Sequence, residues 1–222
     1  MRQVALDTET TGLDPRAGDR IVEIGCIELI NHVPTGEIFH CYVNPERDMP
    51  EGAQAVHGLT NEFLSRHPTF MRIADEFLAF IADSELVIHN AGFDMRFINA
   101  ELKRLGREPL SLDRTVDTVA MARRKFPGAQ ASLDALCRRF NIDTSARTVH
   151  GALTDARLLA EVFLELVGGR QPGLALVRSE GASPVPSAGP RGREPRRHEP
   201  TAEEAEAHAR FLERITAPIW RA

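Results

Sequence analysis

The chain has 222 residues, 42% hydrophobic and 27% charged, which is enough apolar surface for one sizeable core with an appendage and too much for a disordered chain. The formal net charge of −5 excludes a protein that wraps long DNA by neutralising phosphates, though not a site that grips an anionic end through metal ions. No apolar run reaches membrane-spanning length, the start "MRQVALDTET" has no apolar leader core, and Cys26, Cys41 and Cys137 lack ligand spacing, so the expectation is a cytoplasmic protein with reduced thiols and no membrane partner.

The first strand is predicted in "RQVALDTET", where Val4 and Leu6 alternate with neighbours. "DRIVEIGCIELIN" continues the β pattern through Ile21, Ile24 and Ile27. "HVPTGE" reads as a turn and "IFHCYVNP" as a third strand, together an antiparallel meander. The period then changes. "TFMRIADEFLAFIAD" carries Phe70, Ile73, Phe77 and Phe80 or Ile81 at helical spacing. "ELVIHNA" is a short buried strand, and "FDMRFINAELKRLG" is a helix ending at Gly106. "TVDTVAMARRKFPG" joins a short strand to a helix that stops before Pro127. "ASLDALCRRF" and "ALTDARLLAEVFLELVGG" are further helices, the last closed by Gly168 and Gly169. Three strands followed by alternating helices and strands predict an α/β fold with a mixed sheet flanked by helices, over residues 1–169.

Composition breaks after Gly169. Residues 170–200 hold six of the fourteen prolines and few large apolar groups, and are read as a flexible linker. Its Arg191, Arg193, Arg196 and Arg197 are read as solvated linker charge. Residues 201–222 begin with Thr201 and Glu204 at capping-box spacing, followed by His208, Phe211, Leu212 and Ile215 on one face and a terminal Trp220. A short amphipathic helix on a tether has little core of its own, which points to a partner-docking segment.

Side chains at i and i+2 of a strand share a face, so Asp7 and Glu9 project together. Two adjacent carboxylates repel unless a proton or a cation relieves them. Asp94 lies just past a predicted strand end and Asp155 in the first turns of a predicted helix, positions where α/β folds build sites. Oxygen donors without thiolates favour Mg²⁺ or Mn²⁺ over Zn²⁺. His150, five residues before Asp155, adds a group that can take a proton near neutrality. Taken singly, each has a plain alternative: surface charge, a helix-dipole partner, a structural His. Asp117 is read as structural.

"DTETTGL", "HNAGFD" and "HGALTD", in this order, resemble the three motifs of the DEDD superfamily of 3′–5′ exonucleases in its His-containing DEDDh branch, across roughly residues 2–168. The sister branch has Tyr four residues before the last Asp. Here that residue is Gly151, and the chain's one tyrosine is Tyr42. "VHGLT", "ARRKFPG", "SLDALCRRFNID" and the terminal "IWRA" resemble the family's proofreading members in bacterial replicative polymerases. The resemblance implies a ribonuclease H-like fold, with Asp7, Glu9, Asp94 and Asp155 as ligands of two Mg²⁺ or Mn²⁺ ions and His150 as general base. It puts Thr8, Thr10, Leu13, Val56 and His57 beside the terminal nucleotide of a single-stranded DNA 3′ end, supported by Asn90 and Phe93.

The pattern departs at Gly52, where the family often has a Glu that reaches the terminal sugar; either Glu51 takes its place through a shifted register or the contact is lost. "QPGLAL", with Gln171, Leu174 and Leu176, resembles a sliding-clamp peptide. The tail, with Phe211, Ile215 and Trp220, resembles the tether to the catalytic alpha subunit, and a small theta-like third subunit is a further implied partner. Two other readings stay open: a DEDDh enzyme acting on RNA ends, and a non-catalytic module that stabilises a polymerase.

Overall fold

The computed structural model describes residues 1–145, 149–169 and 200–215, in two compact units divided between Leu174 and Ala175. In the first, β1 (Arg2–Thr10) is the strand on which the others assemble. It pairs antiparallel with β2 (Ile21–Ile30), which pairs antiparallel with β3 (Val33–Tyr42). On its other side β1 pairs parallel with β4 (Glu85–Ile88), and β4 with β5 (Thr115–Asp117). The order is therefore β3-β2-β1-β4-β5, a mixed sheet as expected.

The hairpin between β2 and β3 corrects the sequence reading. The turn is only Asn31 and His32, both at positive φ (52° and 70°), which is the geometry of a two-residue primed turn. His32 is held there by Gln3 Oε1 at 2.7 Å and by an edge-on contact with Phe163. Val33–Glu37, expected to be the turn, are strand. Pro34 and Gly36 look like turn signals, but β3 is an edge strand and tolerates them.

Helices cover both faces of the sheet, making three layers. On one face, α3 (Phe70–Ile81) and α4 (Ala91–Arg104) bury Phe70, Phe77, Phe97 and Ile98 against Val4, Leu6 and Ile88. On the other, α6 (Leu133–Phe140) and α7 (Ala152–Leu166) bury Leu136, Leu159 and Phe163 against Ala5, Ile27 and Val87. The helix α5 (Thr118–Lys125) follows β5 directly. None of the three cysteines is in a disulfide, and among the described residues no helix is long and apolar enough to cross a membrane.

Two short helices were not foreseen: α1 (Glu51–His57) and α2 (Asn61–Leu64). They are too short for a helical period to register in sequence. Gly58, at φ 76°, ends the first, and the Thr60 hydroxyl accepts from Phe63 N to cap the second. The second unit contains α8 (Ala202–Leu212), which starts with the expected Thr201–Glu204 capping box. Gln171, Leu174, Leu176 and Trp220 lie outside the described residues.

Gly25, on β2, fixes how closely α7 approaches the sheet. A Cβ there would lie 2.3 Å from Leu153 N and 2.4 Å from Ala152 C, both backbone atoms that cannot swing aside. Gly25→Ala is expected to push the start of α7 outward, costing about 1–3 kcal/mol in urea unfolding. Because the same turn of α7 carries Asp155, nuclease activity should fall by more than the stability loss explains.

Candidate active site

Pairing between β1 and β4 ends at Leu6 and Ile88, whereas β1 runs on to Thr10. Asp7 to Thr10 therefore border a crevice at the carboxyl end of β4, where the sheet switches from antiparallel to parallel pairing. A bulge between Glu9 and Thr10 ends the regular register with β2. Strand alternation puts Asp7 and Glu9 on the α7 face with Ala5, and Thr8 on the α4 face with Leu6.

Each of the other acids arrives by its own route. Asp94 is buried in the first turn of α4, and its Oδ1 accepts from the Thr8 backbone N–H at 3.0 Å and the Thr8 hydroxyl at 2.7 Å. Asn90, at φ 69°, starts that helix, and its backbone N–H donates to Asp117 Oδ1 at 3.2 Å. Asp117 also caps α5 by accepting from Val119 N at 2.8 Å, a structural role as expected. Asp155 is buried in the first turn of α7. His150 precedes that helix with its side chain half exposed; its Nδ1 lies 3.2 Å from Asp155 Oδ2, and its backbone N–H donates to Val56 O. Ligand atoms of Glu9, His150 and Asp155 all lie within 4.8 Å of one another.

These acids perturb each other strongly. Burial, then the charges of Asp94, Glu9, Asp155 and Glu23, hold the Asp7 carboxyl well above its ordinary value. Burial pushes Asp94 up to about 7, against the lowering effect of its Thr8 hydrogen bonds. An oxygen-rich donor set with one imidazole, whose members resist ionising together, fits a hard divalent cation.

Beside the acids runs a groove of about 590 Å³ lined by Thr8, Thr10, Leu13, Val56, His57 and Phe93. Leu13 is 78% exposed and Val56 49%, a large apolar outlay for solvent. His57 is buried; its Nδ1 accepts from Leu59 N at 3.0 Å, so the ring proton belongs on Nε2. Burial lowers its pKa; Glu23 and the Thr10 backbone pull the other way, yet Nε2 finds no partner of hydrogen-bond geometry.

Gly52 also lines the groove, and a Cβ there would meet nothing within 4 Å. Glu51 is exposed and is not among the residues that line it, so Gly52 is the residue that faces the groove. Asn90 falls outside this groove and borders a neighbouring one with His89 and Ser132.

Sequence reasoning missed Glu23. It is buried on β2 directly opposite Glu9, and His40 Nε2 lies 2.7 Å from its Oε1. Its signal was a charged residue inside the apolar run "RIVEIG".

Fold and acid cluster together define a nuclease of the ribonuclease H-like, DEDDh kind. The Exonuclease family (RNase_T) matches residues 4–163. Among solved structures, the chain resembles Exonuclease X in complex with 5′ overhanging duplex DNA (TM-score 0.59, 25% identity, 74% of this chain and 90% of that one). It shares the fold of the nuclease domain of 3′hExo, a DEDDh family member (TM-score 0.66, 18% identity, 75% and 91%). In sequence it is 51% identical to DNA polymerase III subunit epsilon of Rickettsia conorii over 222 residues, 97% of this chain and 96% of that protein. It is 47% identical to the Escherichia coli subunit over 176 residues, 76% of this chain and 72% of that protein. The chain belongs to the DNA polymerase III epsilon subunit family of exonucleases.

Raised folded-state pKa values for Asp7 and Asp94 mean that the folded, metal-free protein binds protons more tightly than the unfolded chain. Their stabilising effect is present at acid pH and is lost as pH rises from the ordinary carboxylate range through about 7. In chelator, Tm should fall between pH 5 and pH 8, and a divalent cation should raise Tm more at pH 8. Asp94→Asn should raise the chelator Tm at pH 8 and shrink the cation-induced rise.

Proposed function

We propose that the chain is the 3′–5′ proofreading exonuclease of a bacterial polymerase III, removing mispaired 3′-terminal nucleotides from DNA as nucleoside 5′-monophosphates. The observation that carries the reading is the convergence of Asp7, Glu9, Asp94, Asp155 and His150 at one end of β1, beside an apolar groove. Asp7, Glu9, Asp94 and Asp155 would hold two Mg²⁺ or Mn²⁺ ions. When bound, such ions lower the pKa of an attacking water and screen the charge on the phosphate and the leaving 3′ oxygen.

The chain's own groups do the rest. Asp155 orients His150 through Nδ1, which leaves Nε2 as the ring nitrogen that accepts the proton of the attacking water. Thr8 holds Asp94 in place from both its N–H and its hydroxyl. Leu13, Val56 and Phe93 offer apolar surface to the terminal base, a grip that reads no sequence. The buried His57 Nε2–H is a donor suited to an oxygen of the terminal nucleotide. Selectivity for errors then arises because a mispaired end unpairs at least cost.

Phe211, exposed on α8, with Ile215 and Trp220, would dock the alpha subunit. Gln171, Leu174 and Leu176 would reach the sliding clamp, and a small theta-like subunit would complete the core.

Digestion of matched, mispaired and RNA 3′ ends with Mn²⁺ tests the reading. Mispaired DNA ends are expected to be cut roughly tenfold faster or more than matched ones, a difference of about 1.4 kcal/mol in barrier. Equal rates on both, or a preference for RNA, would overturn it. His150→Ala should lower kcat by about 10²–10⁴ while the cation-induced rise in Tm persists. Removing residues 201–222 should abolish co-purification with the alpha subunit and leave free exonuclease activity unchanged.

A further inference from the structure

A second groove, of about 640 Å³, runs along the outer side of α4. It begins where the first groove stops: Leu13 and Phe93 line the first, and their chain neighbours Asp14 and Gly92 line the second. Leu13 and Phe93 thus stand where the two grooves adjoin. A strand whose terminal base sits in the first groove can continue into the second.

The second groove has the chemistry for a polyanion. The chain is acidic, at −5 overall, yet Arg16, Arg96, Lys103 and Arg107 converge here against only Asp14 and Glu108. Gly92, Arg96, Asn99 and Lys103 recur at helical spacing on one face of α4. Arg96 is held beside Phe93, because its Nε donates to Gly92 O at 3.0 Å and its guanidinium lies 6.0 Å from the Phe93 ring centroid. The half-buried Arg107 pairs with the exposed Asp75 at 2.6 Å, a third acid beside this basic set and one whose exposure lets a phosphate compete for Arg107. Arg16 and Lys103 make no ion pair among the described residues. From Gly92 to Lys103 the helix rises about 16 Å, at about 1.5 Å per residue. That distance spans roughly four or five phosphates at the per-strand spacing of B-form DNA.

We propose that this face of α4 binds the DNA strand upstream of the terminal nucleotide, with Arg16, Arg96, Lys103 and Arg107 contacting its phosphates. The proposal rests on the reading of the chain as a 3′-end exonuclease. It adds that catalytic efficiency rises with strand length over the first several nucleotides, and that salt erodes the gain.

The test compares kcat/KM on a deoxydinucleotide and on a single-stranded octamer, each at 50 and 200 mM salt. The proteins are the full chain and its Arg16→Ser/Lys103→Ser/Arg107→Ser variant, whose changes are at surface positions and whose Tm is checked. Losing three phosphate contacts should reduce the slope of log(kcat/KM) against log[salt] for the octamer by about 2, at about 0.7 per contact on single strands. Octamer kcat/KM at 50 mM salt should fall by about tenfold or more, with dinucleotide hydrolysis unchanged. An unchanged octamer rate and slope would overturn the groove assignment. So would loss of alpha-subunit binding with DNA kinetics intact, which would make the groove a protein interface. A wild-type chain that hydrolyses neither substrate would instead refute the underlying exonuclease reading.

Discussion

The mutual repulsion of buried and half-buried carboxylates at the end of β1 is the constraint around which this fold is organised. Asp7 stands among Asp94, Glu9, Asp155 and Glu23, with burial adding to the penalty of its charge. Five like charges in a partly dehydrated crevice are tolerable only when protons or cations neutralise them. The surrounding structure keeps them together despite this. Thr8 anchors Asp94 with two hydrogen bonds, and Gly25 lets α7 lie close enough to deliver Asp155. The sheet contributes a strand that outruns its parallel neighbour, so the acids open onto a crevice rather than into the core.

The same arrangement separates chemistry from grip. On the α7 face of β1 lie Asp7, Glu9, Asp155 and His150, and Asp94 reaches the cluster from the α4 side through Thr8. On the α4 side lie Phe93 and, beyond Leu13, the basic groove. Asp117 ties these parts together without facing the reaction, because one carboxylate oxygen caps α5 and also accepts from the first residue of the turn into α4. Glu23 extends the acid cluster to β3 through His40, which makes the hairpin's outer strand part of the site's support.

Much of this was legible in the sequence, for identifiable reasons. Long periodic segments such as Phe70–Ile81 and Ala152–Leu166 announced themselves, because a wide buried face repeats over three or more turns. Asp7 and Glu9 were readable as partners because strand alternation is strict. The hairpin turn was misread because Pro34 and Gly36 carry turn chemistry on an edge strand, while the real turn uses His32, whose left-handed backbone depends on Gln3 and Phe163. The helices α1 and α2 were invisible because seven and four residues carry no period. Glu23 escaped because its meaning lies across the sheet, in its register with Glu9. Gly52 could be noticed from sequence, but only the backbone shows that it, and not Glu51, lines the groove.

Crystals of the chain grown with Mn²⁺ and a deoxynucleoside 5′-monophosphate, and measured for anomalous scattering, examine the acid cluster most directly. The expected result is two peaks about 3.5–4 Å apart, bounded by Asp7, Glu9, Asp94 and Asp155, with the His150 ring outside the coordination sphere. A single ion held by Glu9, His150 and Asp155, or no anomalous density at the end of β1, would contradict the two-cation site and the role of His150 as base.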